Sequence, residues 1–317
     1  MSMSGNLKVI YMAGGAEYTI WPLERVIKSE HTLLHVYTKC PRPAGRGKKI
    51  IPNALQNFLD VNKVSYSMPI NLKSNIEIEK IKKMKPDLIL VFSYGHILPK
   101  ILLNIPKYGC LNIHASLLPK WRGSSPVQYS LLNNEKETGF SIMVMNERVD
   151  EGKVLYRESI VISESDNTYT LLEKITNLAC KSIIKIINKY VEGSIIACDQ
   201  DHKEASYTYT IKKNDTYLDF KDDAEIVLAK VRAYNPNPGA KCFIKGELVK
   251  IIEAKKENLH DSIKPGVIID ERLLISCGSN AIRPTIIQRS GKKKLKLYEA
   301  LNGWKVQPGT LVKNKIE

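Results

Sequence analysis

Paired cysteines are missing from this 317-residue chain. Its cysteines, Cys40, Cys110, Cys180, Cys198, Cys242 and Cys277, stand far apart with no C-x-x-C pair among them. That scatter suggests neither a zinc site nor a redox motif, and it predicts reduced thiols in a cytoplasm. No metal is expected. No apolar run approaches the roughly 20 residues that cross a bilayer. No basic leader with an apolar signal region precedes the strand-like Leu7 to Met12, so neither export nor membrane spanning is expected. Internal repeats, low-complexity tracts and anything resembling a coiled coil are lacking too, and a monomer is the default. Gly14-Gly15 is no G-x-G-x-x-G fingerprint, which leaves nicotinamide dinucleotide binding with little support. What is plentiful is positive charge: 48 basic against 33 acidic side chains leave +15. Such a balance favours a polyanion, nucleic acid ahead of a membrane surface. A Lys-rich solvated surface accounts for it equally well.

The length exceeds one compact domain and predicts two, and 43% apolar with 26% charged residues is an ordinary globular composition. Short apolar runs at Leu7 to Met12, Leu33 to Tyr37, Leu88 to Phe92, Cys110 to Ile113 and Phe140 to Met145 alternate with helically spaced segments. That pattern predicts an α/β domain with a mainly parallel sheet. Ile76, Ile78, Ile81 and Met84 among Glu77, Glu79, Lys80, Lys82 and Lys83 predict an amphipathic surface helix that Pro86 ends. A longer helix is expected from Leu171 to Val191, stopping at Gly193. From Ser194 to Asp215 the pattern is polar and aperiodic, as in a linker. Beyond it, a helix near Ala224 to Ala233 precedes short apolar stretches between glycines, the pattern of a small β-barrel. The expected domains are therefore 1–206, catalytic and including the linker, and 207–317, a small barrel. Residues 1–206 carry +7 and residues 207–317 carry +8, so the smaller domain is the more basic per residue. A small basic barrel suits an oligonucleotide-binding (OB-like) fold.

Chemistry concentrates in Leu111-Asn112-Ile113-His114-Ala115-Ser116-Leu117-Leu118-Pro119-Lys120-Trp121-Arg122-Gly123. The strand ends in a polar loop, placing Asn112 and His114 at the carboxyl end of a sheet strand, where open α/β sheets bind ligands. Strict alternation points both to one side. Asp150 follows a second strand and is available to pair with the imidazole. An amide, an imidazole and a carboxylate suit acyl transfer to an amine: two donors for a developing oxyanion, and a group to orient the ring or take the amine proton. Positioning and oxyanion stabilisation then supply most of the catalysis, without a covalent nucleophile. Ser116 is a weak nucleophile candidate, because no G-x-S-x-G elbow surrounds it. Taken singly, each of the three is an ordinary strand-end, turn or cap residue.

Together, Asn112-Ile113-His114, Ser116-Leu117-Leu118-Pro119, Arg122-Gly123, Glu137-Thr138-Gly139 and Asp150 resemble the catalytic core of the folate-dependent formyltransferases. The resemblance implies a Rossmann-like formyltransferase domain with Asn112, His114 and Asp150 catalytic. It implies 10-formyltetrahydrofolate as co-substrate, a reduced folate lodged against Phe92, Ser93, Tyr94, Gly95, Ile97, Leu98 and Pro99, against Ser116, Leu117, Leu118 and Pro119, and against Val144 and Asn146. Cys40-Pro41-Arg42-Pro43-Ala44-Gly45-Arg46-Gly47-Lys48-Lys49 closely resembles the insertion loop by which the methionyl-tRNA formyltransferase branch approaches the acceptor stem. By that resemblance Arg42, Arg46, Lys48 and Lys49 bind tRNA, and the acceptor amine is that of methionyl-initiator tRNA in a bacterial-type cytoplasm. Ile226 to Ala240 and Pro308-Gly309-Thr310 resemble the start and end of the family's barrel, so the likeness covers nearly the whole chain. Two departures stand out: Met12 to Tyr18 replaces the usual Gly-Thr-Pro-containing first loop, and Asn146 to Gly152 replaces a more acidic turn. The alternatives are formyl transfer to a nucleotide-linked amino sugar or glycinamide ribonucleotide, or a catalytically inactive tRNA-binding protein. The basic loop and barrel argue against the former, and the retained Asn112, His114 and Asp150 against the latter.

Overall fold

The computed structural model describes residues 5–41, 51–261 and 263–315. The chain divides into two compact units that interleave in sequence. One is Met1–Pro126, Thr138–Ile160 and Leu172–Thr208; the other is Val127–Glu137, Val161–Leu171 and Tyr209–Glu317.

A seven-stranded sheet organises the first half of the chain. Its strands are β1 (Lys8–Ala13), β2 (Thr32–Thr38), β3 (Tyr66–Ser67), β4 (Leu88–Phe92), β5 (Cys110–His114), β7 (Glu137–Val144) and β8 (Val154–Val161), with the two-residue β6 (Arg122–Gly123) outside it. The order is β3-β2-β1-β4-β5-β7-β8. β1 to β5 pair in parallel, whereas β7 runs antiparallel to β5 and sets Met143 opposite Asn112 and Ser141 opposite His114. Val9 to Ala13 and Leu88 to Phe92 are buried at every position, as their unbroken apolar runs require. The mainly parallel α/β expectation therefore holds.

The helices are α1 (Ile20–Ile27), α2 (Ala54–Val61), α3 (Asn75–Met84), α4 (Lys100–Leu103), α5 (Pro126–Leu132) and α6 (Thr168–Val191). Asn53 and Gln56 form a capping box at the start of α2, satisfying two otherwise unpaired donors. α3 buries Ile78 and Ile81, but Ile76 is 71% exposed, because two positions before Ile78 it falls on the opposite face of the helix. Lys85, at φ 50°, ends the helix ahead of Pro86.

The unusual first loop is held from within. Thr19 Oγ1 donates toward Gly14 O (2.8 Å) and Ala16 O (2.6 Å), and Tyr11 Oη donates to Thr19 O at 2.7 Å. Strand order reverses between β1 and β4, where open α/β sheets commonly leave a crevice at the carboxyl ends. Here the loops close up: a Cβ on Gly14 would sit 2.6 Å from Ser93 O. Tyr18 Oη and Ser93 Oγ lie 3.2 Å apart across the same junction. The next crevice, at the end of β5, carries the polar cluster.

The stretch read as a linker is structured. Cys198 bridges Val154, Gln200 is 5% exposed, and β9 (Tyr207–Thr208) pairs in parallel with β6. Aperiodic sequence here reflects short pieces that each satisfy a specific backbone group, not free chain.

The second unit contains α7 (Ala224–Tyr234), α8 (Leu297–Leu301) and an antiparallel barrel-like sheet. Its strands β10 (Ala240–Ile244), β11 (Glu247–Glu257), β12 (Ile275–Ser276), β13 (Ala281–Arg289) and β15 (Val312–Lys313) lie in the order β12-β13-β11-β10-β15, and β14 (Lys294–Lys296) pairs with β13. Register shifts around Glu253 mark where long β11 bends. Lys241, 6% exposed, stands opposite Lys250 with its ammonium 5.6 Å from the Tyr217 ring centre. Burial first, then the nearby Lys250 and Lys213 charges, lower the Lys241 pKa.

Candidate active site

Alternation along β5 turns Asn112 and His114 to one side, and the turn after β7 brings Asp150 to meet them. Asn112 Nδ2 donates to Asp150 Oδ1 at 3.4 Å, and His114 Nδ1 lies 3.6 Å from Asp150 Oδ2. The three residues named from sequence thus converge on one point. His114 Nε2 sits 3.0 Å from Trp121 O, and a carbonyl only accepts, so that nitrogen carries a proton. Nδ1 is left facing the carboxylate at a distance too long for a firm bond. Asp150 is fixed more tightly than its partners: Oδ2 accepts the Gly123 N–H at 2.8 Å.

The backbone here is strained. Asp150 has φ 55° and Trp121 φ 59°, left-handed values that cost a non-glycine residue about 1–2 kcal/mol. The Trp121 amide donates to Ser206 Oγ at 2.9 Å and the Arg122 amide to Ser206 O at 2.9 Å. Ser125 N donates to Thr208 Oγ1, whose hydroxyl donates to Arg122 O. Between β5 and β6, the Leu118-Pro119 peptide is cis. Ser141 accepts from Leu118 N and donates to Ser116 O, while Ser116 Oγ donates to Lys120 O at 2.6 Å. The Ser116 hydroxyl is thus engaged in shaping the loop.

The segments read as folate-binding divide by exposure. Phe92, Tyr94, Leu98, Ser116 and Leu118 are buried, with Tyr94 and Leu98 in the main core cluster and Leu118 packed with Met143 and Val154. Ser93, Gly95, Ile97 and Asn146 are exposed, and Leu117, Pro119, Val144 and Pro99 lie between. Ile97 at 71% and Val149 at 57% present bare apolar side chains on the two segments flanking the cluster. Lys100 and Glu147 tie those segments together at 2.7 Å. Arg42, Arg46, Lys48 and Lys49 lie outside the described residues.

Sequence reading missed the groups behind Asp150. Arg122, 1% exposed, gives its Nε (3.1 Å) and one Nη (2.9 Å) to Gln200 Oε1. Gln200 Nε2 in turn donates to Asp150 O (2.9 Å) and Gly152 O (2.7 Å). Gln200 sits in the polar run Asp199 to His202, where nothing local distinguishes a buried amide from a solvated one.

This site and sheet define the class: residues 8–187 match the family described as Formyl transferase, and residues 210–305 match Formyl transferase, C-terminal domain. The chain is 34% identical over 309 residues to the methionyl-tRNA formyltransferase of Ehrlichia chaffeensis, covering 96% of this chain and 100% of that one. It is 33% identical to that of Caldanaerobacter subterraneus subsp. tengcongensis, covering 97% and 100%. The chain belongs to the methionyl-tRNA formyltransferase family. Among solved structures, HypX from Aquifex aeolicus in complex with tetrahydrofolic acid superposes with a TM-score of 0.66 at 16% identity, covering 94% of this chain and 47% of that one. An N-formyltransferase from Helicobacter canadensis gives 0.64 at 18%, covering 91% and 100%. These two likenesses establish the fold alone.

Proposed function

We propose that this enzyme transfers the formyl group of 10-formyltetrahydrofolate to the free amine of methionyl-initiator tRNA, with Asn112, His114 and Asp150 as its catalytic residues. The observation that carries the reading is the convergence of Asn112 Nδ2 and His114 Nδ1 on Asp150, at 3.4 and 3.6 Å. Both contacts are long, so both groups are free to turn to a better acceptor. A formyl oxygen entering between them gains two donors as negative charge develops on it. Asp150, held by Gly123 N–H, then takes the proton that the attacking nitrogen loses, and that proton ends on folate N10 as the formyl C–N10 bond breaks and tetrahydrofolate leaves. His114 contributes an Nδ1–H when protonated, and in that form its Nε2–H still has the Trp121 carbonyl. The ring is satisfied at both nitrogens in the form the reaction needs. The folate supplies the activated formyl carbon, and exposed Ile97 and Val149 suit contact with the faces of its rings.

The tRNA half of the reading rests on relatives named for that substrate, on the Arg42 to Lys49 sequence and on the basic residues 207–317, proposed as the tRNA-binding domain. Lys241 facing Lys250 supports it: like charges directly opposite each other destabilise a sheet unless an anion joins them. The test is formylation with purified protein, 10-formyltetrahydrofolate and either charged initiator tRNA or small amines, including a nucleotide-linked amino sugar. Formylated small amine without formyl-methionyl-tRNA would refute the proposal.

A further inference from the structure

We infer that Gln200 is a positioning residue for the transfer, a brace that holds the Asp150 carboxylate in its working place through the backbone of its turn. The inference rests on the catalytic role proposed for Asp150.

Gln200 makes four hydrogen bonds with one side chain. Its Nε2 reaches the carbonyls on either side of Glu151, Asp150 O and Gly152 O, at 2.9 and 2.7 Å. Its Oε1 accepts twice from Arg122 at 3.1 and 2.9 Å. The residue is 5% exposed and Arg122 1%, so water has little access to replace any of these bonds. An amide is required at this position, since the two ends of the group perform opposite tasks: donor to two carbonyls, acceptor from a guanidinium. Arg122 is fixed in turn by His202 Nδ1 and Tyr207 Oη, each 3.2 Å from Nη1, and Glu151 is 3.9 Å away. The Arg122 backbone joins β9 through Ser206. A continuous chain of contacts thus runs from the β6–β9 ladder through Arg122 and Gln200 to the Asp150 turn.

The turn needs holding, because Asp150 occupies φ 55°, a left-handed conformation that Asp tolerates better than most residues but that still costs more than the ordinary right-handed and extended regions. Relaxation of that angle would swing the side chain and undo the 2.8 Å bond from Gly123 N–H that aims it. Gln200 touches none of the three catalytic side chains and acts only through the carbonyls.

The test separates bracing from folding. Gln200→Glu keeps an acceptor for Arg122, with added charge attraction, and sets a carboxylate oxygen against the two carbonyls that the amide had served. Its melting temperature is expected to fall by several degrees, since two buried carbonyls lose their donor, with the protein still folded at the assay temperature by circular dichroism; there kcat falls about 100-fold, the cost of an ångström-scale misplacement, with KM for folate and for charged tRNA little changed. The same change on an Asp150→Asn background is expected to add no further loss. Wild-type kcat in Gln200→Glu beside a slow Asp150→Asn overturns the inference alone. So does a loss confined to KM, or an equal loss on both backgrounds. Wild-type turnover in Asp150→Asn removes the reading of the site, and the inference with it.

Discussion

Gly152→Ala is the sharpest probe of the Asp150 turn. A Cβ at position 152 would lie 1.8 Å from Val144 O and 3.0 Å from Val144 C. Carbon and carbonyl oxygen rest at about 3.3 Å or more, so the methyl demands a displacement of about 1.5 Å. The obstacle is backbone of β7, already tied by Val144 N to Lys153 O at 2.8 Å, and it cannot turn aside as a side-chain end can. The turn must therefore move, carrying Asp150 two residues away. A shift of that size predicts a fall of about 100-fold in kcat, since ångström-scale errors in placing a catalytic group cost that much. Overpacking should also cost about 1–3 kcal/mol, which in a unit of this size lowers the melting temperature by about 5 °C. Gly303→Ala is the control: nothing lies within 4 Å of its Cβ, so both quantities should hold. The measurements are single-turnover formylation of charged tRNA at saturating folate and thermal unfolding by circular dichroism. Wild-type turnover in a Gly152→Ala protein would refute the tight coupling of β7 to the carboxylate.

Asn112→Ala removes one oxyanion donor and should lower kcat about 10²- to 10³-fold with less effect on tRNA affinity; unchanged turnover would strike Asn112 from the mechanism. His31 is 6% exposed with neither ring nitrogen partnered, and burial lowers its pKa against smaller upward effects of Glu30 and Asn188. The unfolded chain therefore binds a proton that the folded chain resists, so stability falls as pH drops below about 6.5. His31→Leu should flatten that slope in urea melts between pH 5.5 and 7.5, and a slope as steep as wild type would count against it. Arg46→Ala and Lys250→Ala should each weaken tRNA binding and make its salt dependence shallower, by about one unit of slope per lost phosphate contact; an unaltered slope would remove that residue from the interface.

The sequence by itself determined the strands of the parallel sheet and which polar residues of one strand and turn would meet. Short unbroken apolar runs such as Val9 to Ala13 suit a strand covered on both faces, and period-two alternation along a strand puts Asn112 and His114 on one side. The motif from Asn112 to Gly123 lies on one strand and one loop, so its chemistry survives being read as a string. Ile76 misled because it is apolar but stands two positions before Ile78, which at 3.6 residues per turn puts it on the far side of the helix from the buried stripe.

Only the tertiary structure decided what holds Asp150. The Gly14 and Ser93 loops close one crevice, Gly152 leaves room for Val144, and Gln200 reaches across 50 positions of chain to the turn. None of these has a local signature. A glutamine in Asp-Gln-Asp-His is polar wherever it sits, and its burial follows from where β6 and β9 happen to meet. Periodic patterns are legible because each residue repeats its neighbour's environment, whereas a brace is a single contact between distant segments. Asn112, His114 and Asp150 could thus be singled out from the string, but the contacts that bring them together and hold Asp150 could not.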